Sequence, residues 1–191
     1  MRVFYGFDAL PRFREPAVTV GSFDGVHLGH QALLARLCEE ARATGGESIV
    51  LTFDPHPRIT LGRTNGFRQL TTLDEKLALL ESLGIDDVIV IPFDRAFSAL
   101  SGREFIERYL RRIGTRTLVV GYNHRFGHDR YDCRTAADCG LRIVQVDERE
   151  VEGHHVSSTV IRRLLDAGDT AEAERLLGHP VQVTPRPAQK P

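Results

Sequence analysis

The sequence predicts an α/β domain with a mainly parallel sheet covered by helices on both faces. Three observations carry this. Apolar, β-branched runs alternate with helical patterns along the chain. The run V-I-V-I at residues 88–91 is continuously apolar, as a central strand covered on both sides must be. A glycine-rich turn joins an early strand run to a helical pattern, and open α/β sheets hold ligands at such strand ends.

The elements follow in order. A strand is expected over residues 17–23, and a helix over 29–43 with Leu33, Leu34 and Leu37 on one side. Strands at 48–53 and 88–93 enclose a helix at 72–83, which Thr72 and Glu75 open as a capping box. Ser101 and Glu104 repeat that device at the head of a helix over 101–113. Strands at 117–121 and 142–146 complete the sheet. Ser158 or Thr159 is expected to cap a helix carrying Ile161, Leu164 and Leu165, ended by Gly168. A last helix covers 170–177 and stops at Gly178. Residues 53–69 and 123–132 read as loops of the size that carries function. One domain is expected over 1–180, with an extended or disordered tail over 181–191. There is no internal repeat.

Composition narrows the function classes. A chain of 191 residues can bury a real core, and 41% hydrophobic residues argue against extensive disorder. Lys and Arg number 25 against 26 Asp and Glu, a balance that argues against a nucleic-acid partner. The cysteines Cys38, Cys133 and Cys139 are odd in number and form no C-x-x-C, so a reducing, cytoplasmic setting is expected. Cys38 reads as a small core residue. No signal peptide and no membrane span is expected, and the oligomeric state is not legible.

The most informative stretch is G-S-F-D-G-V-H-L-G-H at residues 21–30. A strand, a tight turn and the first turn of a helix place free N–H groups and the positive end of a helix dipole at one point. His27 and His30 add imidazole donors there, a combination suited to a polyphosphate. A second helix start, S-S-T-V-I-R at 157–162, offers three hydroxyls and Arg162 one turn in. Two such N-termini suggest one polyphosphate held from two sides. F-D-P-H-P at 53–57 forms a stiff loop with a flat apolar edge that suits a ring-shaped ligand. G-Y-N-H-R-F-G at 121–127 gathers Asn123, able to order the loop or to ligate Mg2+, and Phe126, able to stack on a planar ligand.

Together with L-T-T-L-D-E-K at 70–76 and L-L-G-H-P at 176–180, these motifs resemble the FMN adenylyltransferase module of bacterial bifunctional riboflavin kinase/FMN adenylyltransferases, the FAD synthetases. The resemblance runs in unbroken order over most of the chain. The histidine motif by itself marks only the wider nucleotidyltransferase superfamily; the full set is specific to the flavin branch.

The resemblance implies a Rossmann-like nucleotidyltransferase fold and transfer of AMP from ATP to FMN, giving FAD and pyrophosphate with Mg2+. Gly21, Ser22, Phe23, Asp24, His27, Gly29 and His30 would hold ATP, with Ser157, Ser158, Thr159 and Arg162 completing that site. His27, His30 and Arg162 would serve catalysis. Pro55, His56, Pro57, Asn123 and Phe126 would line the flavin side, Asn123 also meeting the metal. The FMN phosphate is itself the nucleophile, so no Ser-His-Asp or Cys-His dyad is needed, and none is evident. Two departures stand out. Members usually continue into a riboflavin kinase barrel after the L-L-G-x-P motif, whereas this sequence stops at Pro191, so that domain is expected to be absent. The loop after Gly127 is usually glycine-rich with an arginine; Arg130 fits, but Asp132 stands where glycine is expected. Two other readings are a nucleotidyltransferase with a different phosphate acceptor and a catalytically silent flavin- or nucleotide-binding protein.

Overall fold

The computed structural model describes residues 1–122, 124–132, 140–147, 150–151 and 154–181. Asn123, Cys133, Cys139 and nearly all of the expected tail lie outside the described residues.

The elements in chain order are β1 (Arg2–Tyr5), β2 (Ala17–Val20), α1 (Leu28–Ala43), β3 (Ser48–Asp54), α2 (Pro57–Thr60), α3 (Leu73–Ser82), β4 (Asp87–Pro92), α4 (Arg95–Ser98) and α5 (Gly102–Phe105). A π-helical segment, Ile106–Leu110, runs from α5 into α6 (Arg111–Ile113). Then come β5 (Thr117–Gly121), β6 (Arg125–Phe126), β7 (Tyr131–Asp132), β8 (Arg142–Val146), β9 (Glu150–Val151), β10 (His154–His155), α7 (Ser158–Asp166) and α8 (Thr170–Leu177).

Six strands form one parallel sheet in the order β1-β4-β3-β2-β5-β8. Alternation along each strand divides the core between the two faces. Val18, Val20, Ile49, Leu51, Ile89, Ile91, Leu118 and Val120 pack on one side with Phe105, Ile106 and Leu110. Ala17, Val50, Val88, Val90 and Val119 pack on the other, against Leu34, Leu37 and Cys38 of α1. A third cluster joins α7 and α8 to Leu70 and Val156. The expected doubly covered parallel sheet is therefore the observed one.

The chain runs from β2 through α1 to β3 on one side of β2, whereas β5 pairs with β2 on the other. The order of connection reverses at β2, and open α/β sheets place their ligands beyond the carboxyl ends of the strands at such a point.

Several details differ from expectation. The strand expected at 17–23 ends at Val20, because the turn begins there. β1 was not expected; it is a four-residue edge strand whose register is set by β4, 85 positions away for the Arg2–Asp87 pair. Pro57 opens the short helix α2 inside the expected loop, the position where a missing N–H costs nothing. The loop at 123–132 includes the β6–β7 pairing, and Asp132 takes part in it opposite Arg125. Ser157, rather than Ser158 or Thr159, caps α7, because Ser158 is drawn to another partner. Both capping boxes form as expected: Thr72 with Glu75, and Ser101 with Glu104. No described helix is long and apolar enough to cross a membrane.

Candidate active site

After Val20 the chain makes a strained turn before α1 begins. Gly25 has φ +83°, but Phe23 and Val26 also take positive φ, at 47° and 38°. Such values are costly for an aromatic and a β-branched residue and persist only where surrounding contacts impose them. Asp24 supplies several of those contacts. Its buried carboxylate accepts from the backbone N–H of Leu70 at 2.8 Å and of Thr71 at 3.3 Å, and pairs with the Arg162 guanidinium. Gly25 N–H donates to Thr71 Oγ1 at 3.1 Å. Gln31 Nε2 donates to the carbonyls of Val26 and Leu177, at 3.0 and 2.8 Å. His179 Nε2 lies 2.9 Å from the Gly25 carbonyl.

The two histidines meet face to face. Their ring centroids are 3.6 Å apart with the planes inclined by 15°. His27 Nδ1 accepts from His30 N–H at 3.3 Å and so caps α1. One ring nitrogen of the pair is thus an acceptor, not the donor expected, because the helix needs its first N–H groups satisfied. A neutral His27 then carries its proton on Nε2. His30 Nδ1 is buried with no partner among the described residues. Burial first, then the nearness of His27 and Lys76, holds the His30 imidazole well below the ordinary histidine range.

The second helix start lies beside the first. Ser158 Oγ donates to the Asp24 carbonyl at 2.9 Å, and a Cβ on Gly29 would sit 3.6 Å from the Val156 carbonyl oxygen. A Cβ on Gly29 would also crowd the His27 ring, 3.2 Å away, so glycine leaves that ring its place. The first-turn N–H groups of α1 and α7 are therefore neighbours. Gly21 and Ser22 are half-buried in the turn, Phe23 is buried, and Thr159 is exposed at the head of α7. Arg162 is found paired with Asp24; its Nε donates to the Arg68 carbonyl at 2.6 Å, and its guanidinium lies 4.5 Å from the Phe67 ring centroid.

A cavity of about 610 Å³ opens beside this turn and is lined by Val20, the last residue of β2 before it. Phe53, Phe93, Phe97 and Phe105 form its apolar side, with successive ring centroids 5.2, 5.6 and 5.9 Å apart. Arg63, Arg125, His128 and Arg130 bring nitrogen donors to its lining. Gly127 belongs to it too. A Cβ there would lie 2.3 Å from the Gly102 backbone nitrogen, so glycine is what lets β6 and β7 dock against α5. Asp129 then accepts from Gly102 N–H at 2.9 Å.

Pro55, His56 and Pro57 do not line the cavity. Pro55 is exposed, Pro57 starts α2, and buried His56 caps α2 by accepting from Arg58 N–H at 3.1 Å. Their loop separates Phe53 from Leu61, both of which do line it. Phe126 is placed in β6 by its backbone alone, and Asn123 lies outside the described residues. Among the described residues, no cluster of three or more His, Cys, Asp or Glu could cage a metal ion.

Sequence reasoning missed the aromatic box, because its rings come from β3, the loop after β4, α4 and α5. It also missed Lys76, which with Leu80 makes the buried face of α3. A lysine at a position spaced as core, one turn from a leucine, was the available signal.

Comparisons with known proteins identify the family. The FAD synthetase family model matches residues 11–160. The bifunctional riboflavin kinase/FMN adenylyltransferase of Listeria monocytogenes is 35% identical over 168 residues, covering 85% of this chain and 54% of that protein. The Escherichia coli K12 protein of the same name is 36% identical over 175 residues, covering 88% of this chain and 56% of its own. The chain thus spans about half the length of these relatives. A crystal structure of a macrolide-efflux protein from Streptococcus pneumoniae superposes with a TM-score of 0.85 at 26% identity, over 95% of this chain and 72% of that one. A family match over most of the residues, on a nucleotidyltransferase-like sheet whose reversal point holds the G-S-F-D-G-V-H-L-G-H turn, makes this chain a member of the FAD synthetase family.

Proposed function

We propose that this chain is an FMN adenylyltransferase, moving AMP from ATP to FMN to give FAD and pyrophosphate. The observation that carries this reading is adjacency. Two helix N-termini and a stacked histidine pair lie together where an anion could be held, and an aromatic cavity with cationic side chains opens beside them.

In this reading an FMN phosphate oxygen attacks the α-phosphorus of ATP, a new P–O bond forms, and the bond to the β-phosphate oxygen breaks. Pyrophosphate leaves with the electron pair. No protein nucleophile is required; the chain positions the two phosphates and stabilises charge on the leaving group. The N–H groups of α1 and α7 would receive the triphosphate. His30, held neutral by its surroundings, would donate one N–H toward the oxygen that gains charge as the bond breaks. Asp24 and Arg162 would hold the turn in shape. The cavity volume falls in the range of ligand pockets, about 300–1000 Å³, and its rings would take the flat isoalloxazine. Arginines in the lining would meet the FMN phosphate. Mg2+ would travel with the triphosphate and neutralise part of its charge.

The test is direct. Purified protein mixed with ATP, Mg2+ and FMN is expected to yield FAD and pyrophosphate, resolved by chromatography. No FAD with FMN, but adenylylation of nicotinamide mononucleotide or a phospho-alcohol, would move the chain to another acceptor. ATP and FMN binding without turnover would make it a silent binding protein.

A further inference from the structure

Lys76 is almost fully buried, at 1% exposure, on the core face of α3. Its Nζ donates to Thr52 Oγ1 at 3.1 Å, and Thr52 Oγ1 donates to the Ser22 carbonyl at 3.3 Å. Thr52 is itself fully buried near the end of β3. The two bonds form a relay from α3, through β3, into the turn that opens the nucleotide site. Among the described residues the ammonium has no hydrogen bond other than that to Thr52.

We propose that Lys76 is a positioning residue of the nucleotide turn, holding Thr52 and, through Thr52, the Ser22 carbonyl in the geometry that this turn requires. Stability does not explain it. Burying an ammonium is costly, and an apolar side chain of similar length would fill the same space at lower cost. Helix propensity does not explain it either, since Leu and Met serve as well as Lys. What an apolar residue cannot supply is a donor to Thr52. With that donor in place, the Thr52 hydroxyl keeps its proton for Ser22. The charged groups around the ammonium fit this role. Asp24 and Asp54 offset the cost of burying it, while His30 and His56 feel its positive charge. That charge also adds to the anion-attracting field of the two helix N-termini. The ligand side of the inference rests on the adenylyl-transfer reading; the mechanical side does not.

The experiment uses the whole chain and the variants Lys76→Met, Lys76→Arg and Thr52→Val. Amide hydrogen exchange is followed at residues 21–30 without ligand, alongside Tm, ATP affinity by calorimetry and FMN affinity by flavin fluorescence. Lys76→Met is expected to speed exchange in the turn while Tm holds or rises. It should weaken ATP binding by about tenfold, the size of one charge-assisted hydrogen bond, and FMN binding by less than about twofold. Thr52→Val should loosen the turn in the same way, the double variant should be no worse than either single one, and Lys76→Arg should restore part of the loss. Parent-like exchange and ATP affinity in Lys76→Met would overturn the proposal. So would faster exchange spread evenly over the chain with a lower Tm, which is general destabilisation. If Lys76→Met does not fold, Thr52→Val decides, and a parent-like turn there overturns the proposal. If the parent makes no FAD while the variants loosen the turn, the functional reading fails and the positioning role stands.

Discussion

Asp24 and Arg162, 138 residues apart in sequence, form a buried ion pair that ties the turn before α1 to the first turns of α7. Both were expected to face the nucleotide, and each is found holding the other. The pair gives a physical reason why two helix N-termini from opposite ends of the chain share one site.

Breaking this pair from one side should be severe. Asp24→Ala leaves a guanidinium buried without its carboxylate and frees the Leu70 and Thr71 N–H groups; removal of one partner of a buried pair costs ~3–5 kcal/mol. Chemical denaturation measures it. In a double-mutant cycle, adding Arg162→Met should cost much less than it does alone. A loss under ~1 kcal/mol for Asp24→Ala would show that the pair does not brace the turn.

The two histidines should separate. His27 caps α1, so His27→Ala should lower stability by about 1 kcal/mol as well as activity. His30→Ala removes no cap; its loss should appear in kcat, on the order of 100- to 1000-fold, with the fold intact. Single-turnover rates and thermal melts on the same samples test this. A stable His30→Ala protein making FAD at the parent rate would take His30 out of the mechanism.

Flavin affinity should depend on the aromatic box. Phe97→Leu keeps most of the apolar volume but removes a ring that contacts Phe53, Phe93 and Phe105. A ring interaction is worth ~0.5–1.5 kcal/mol beyond burial, so FMN binding should weaken by roughly 2- to 12-fold. ATP affinity should hold. Equal losses for both ligands would place the flavin elsewhere.

Stability should fall in acid for a specific reason. Burial, the largest cause, lowers the His56 pKa to about 4, and burial does the same to His124. In the unfolded chain both titrate near 6.5. Between these values the unfolded chain takes up protons that the folded chain refuses. The stability present above about pH 6.5 is therefore lost progressively as pH falls toward 4. Denaturant midpoints measured from pH 7 to 4 should show this slope, and His56→Gln should flatten it. An unchanged slope in His56→Gln would mean that His56 does not govern it.

Features that depend on neighbours a few positions away can be read from the amino-acid order. The alternation of apolar runs, the Thr72 and Ser101 capping boxes, the stop at Gly178 and the glycine-rich turn ahead of α1 are all local, and each was legible. Features that depend on which distant segments meet come only with the fold. β1 has a partner only because β4 presents an edge. The aromatic box exists because the sheet order brings the ends of β3 and β4 to α4 and α5. Arg162 faces Asp24, and Lys76 reaches Thr52, because helix packing places a charged side chain where water is excluded. Local patterns report propensity and spacing, which act over a turn or two of chain. A buried charge is stable only beside its partner, and the fold, not the spacing, brings that partner within reach.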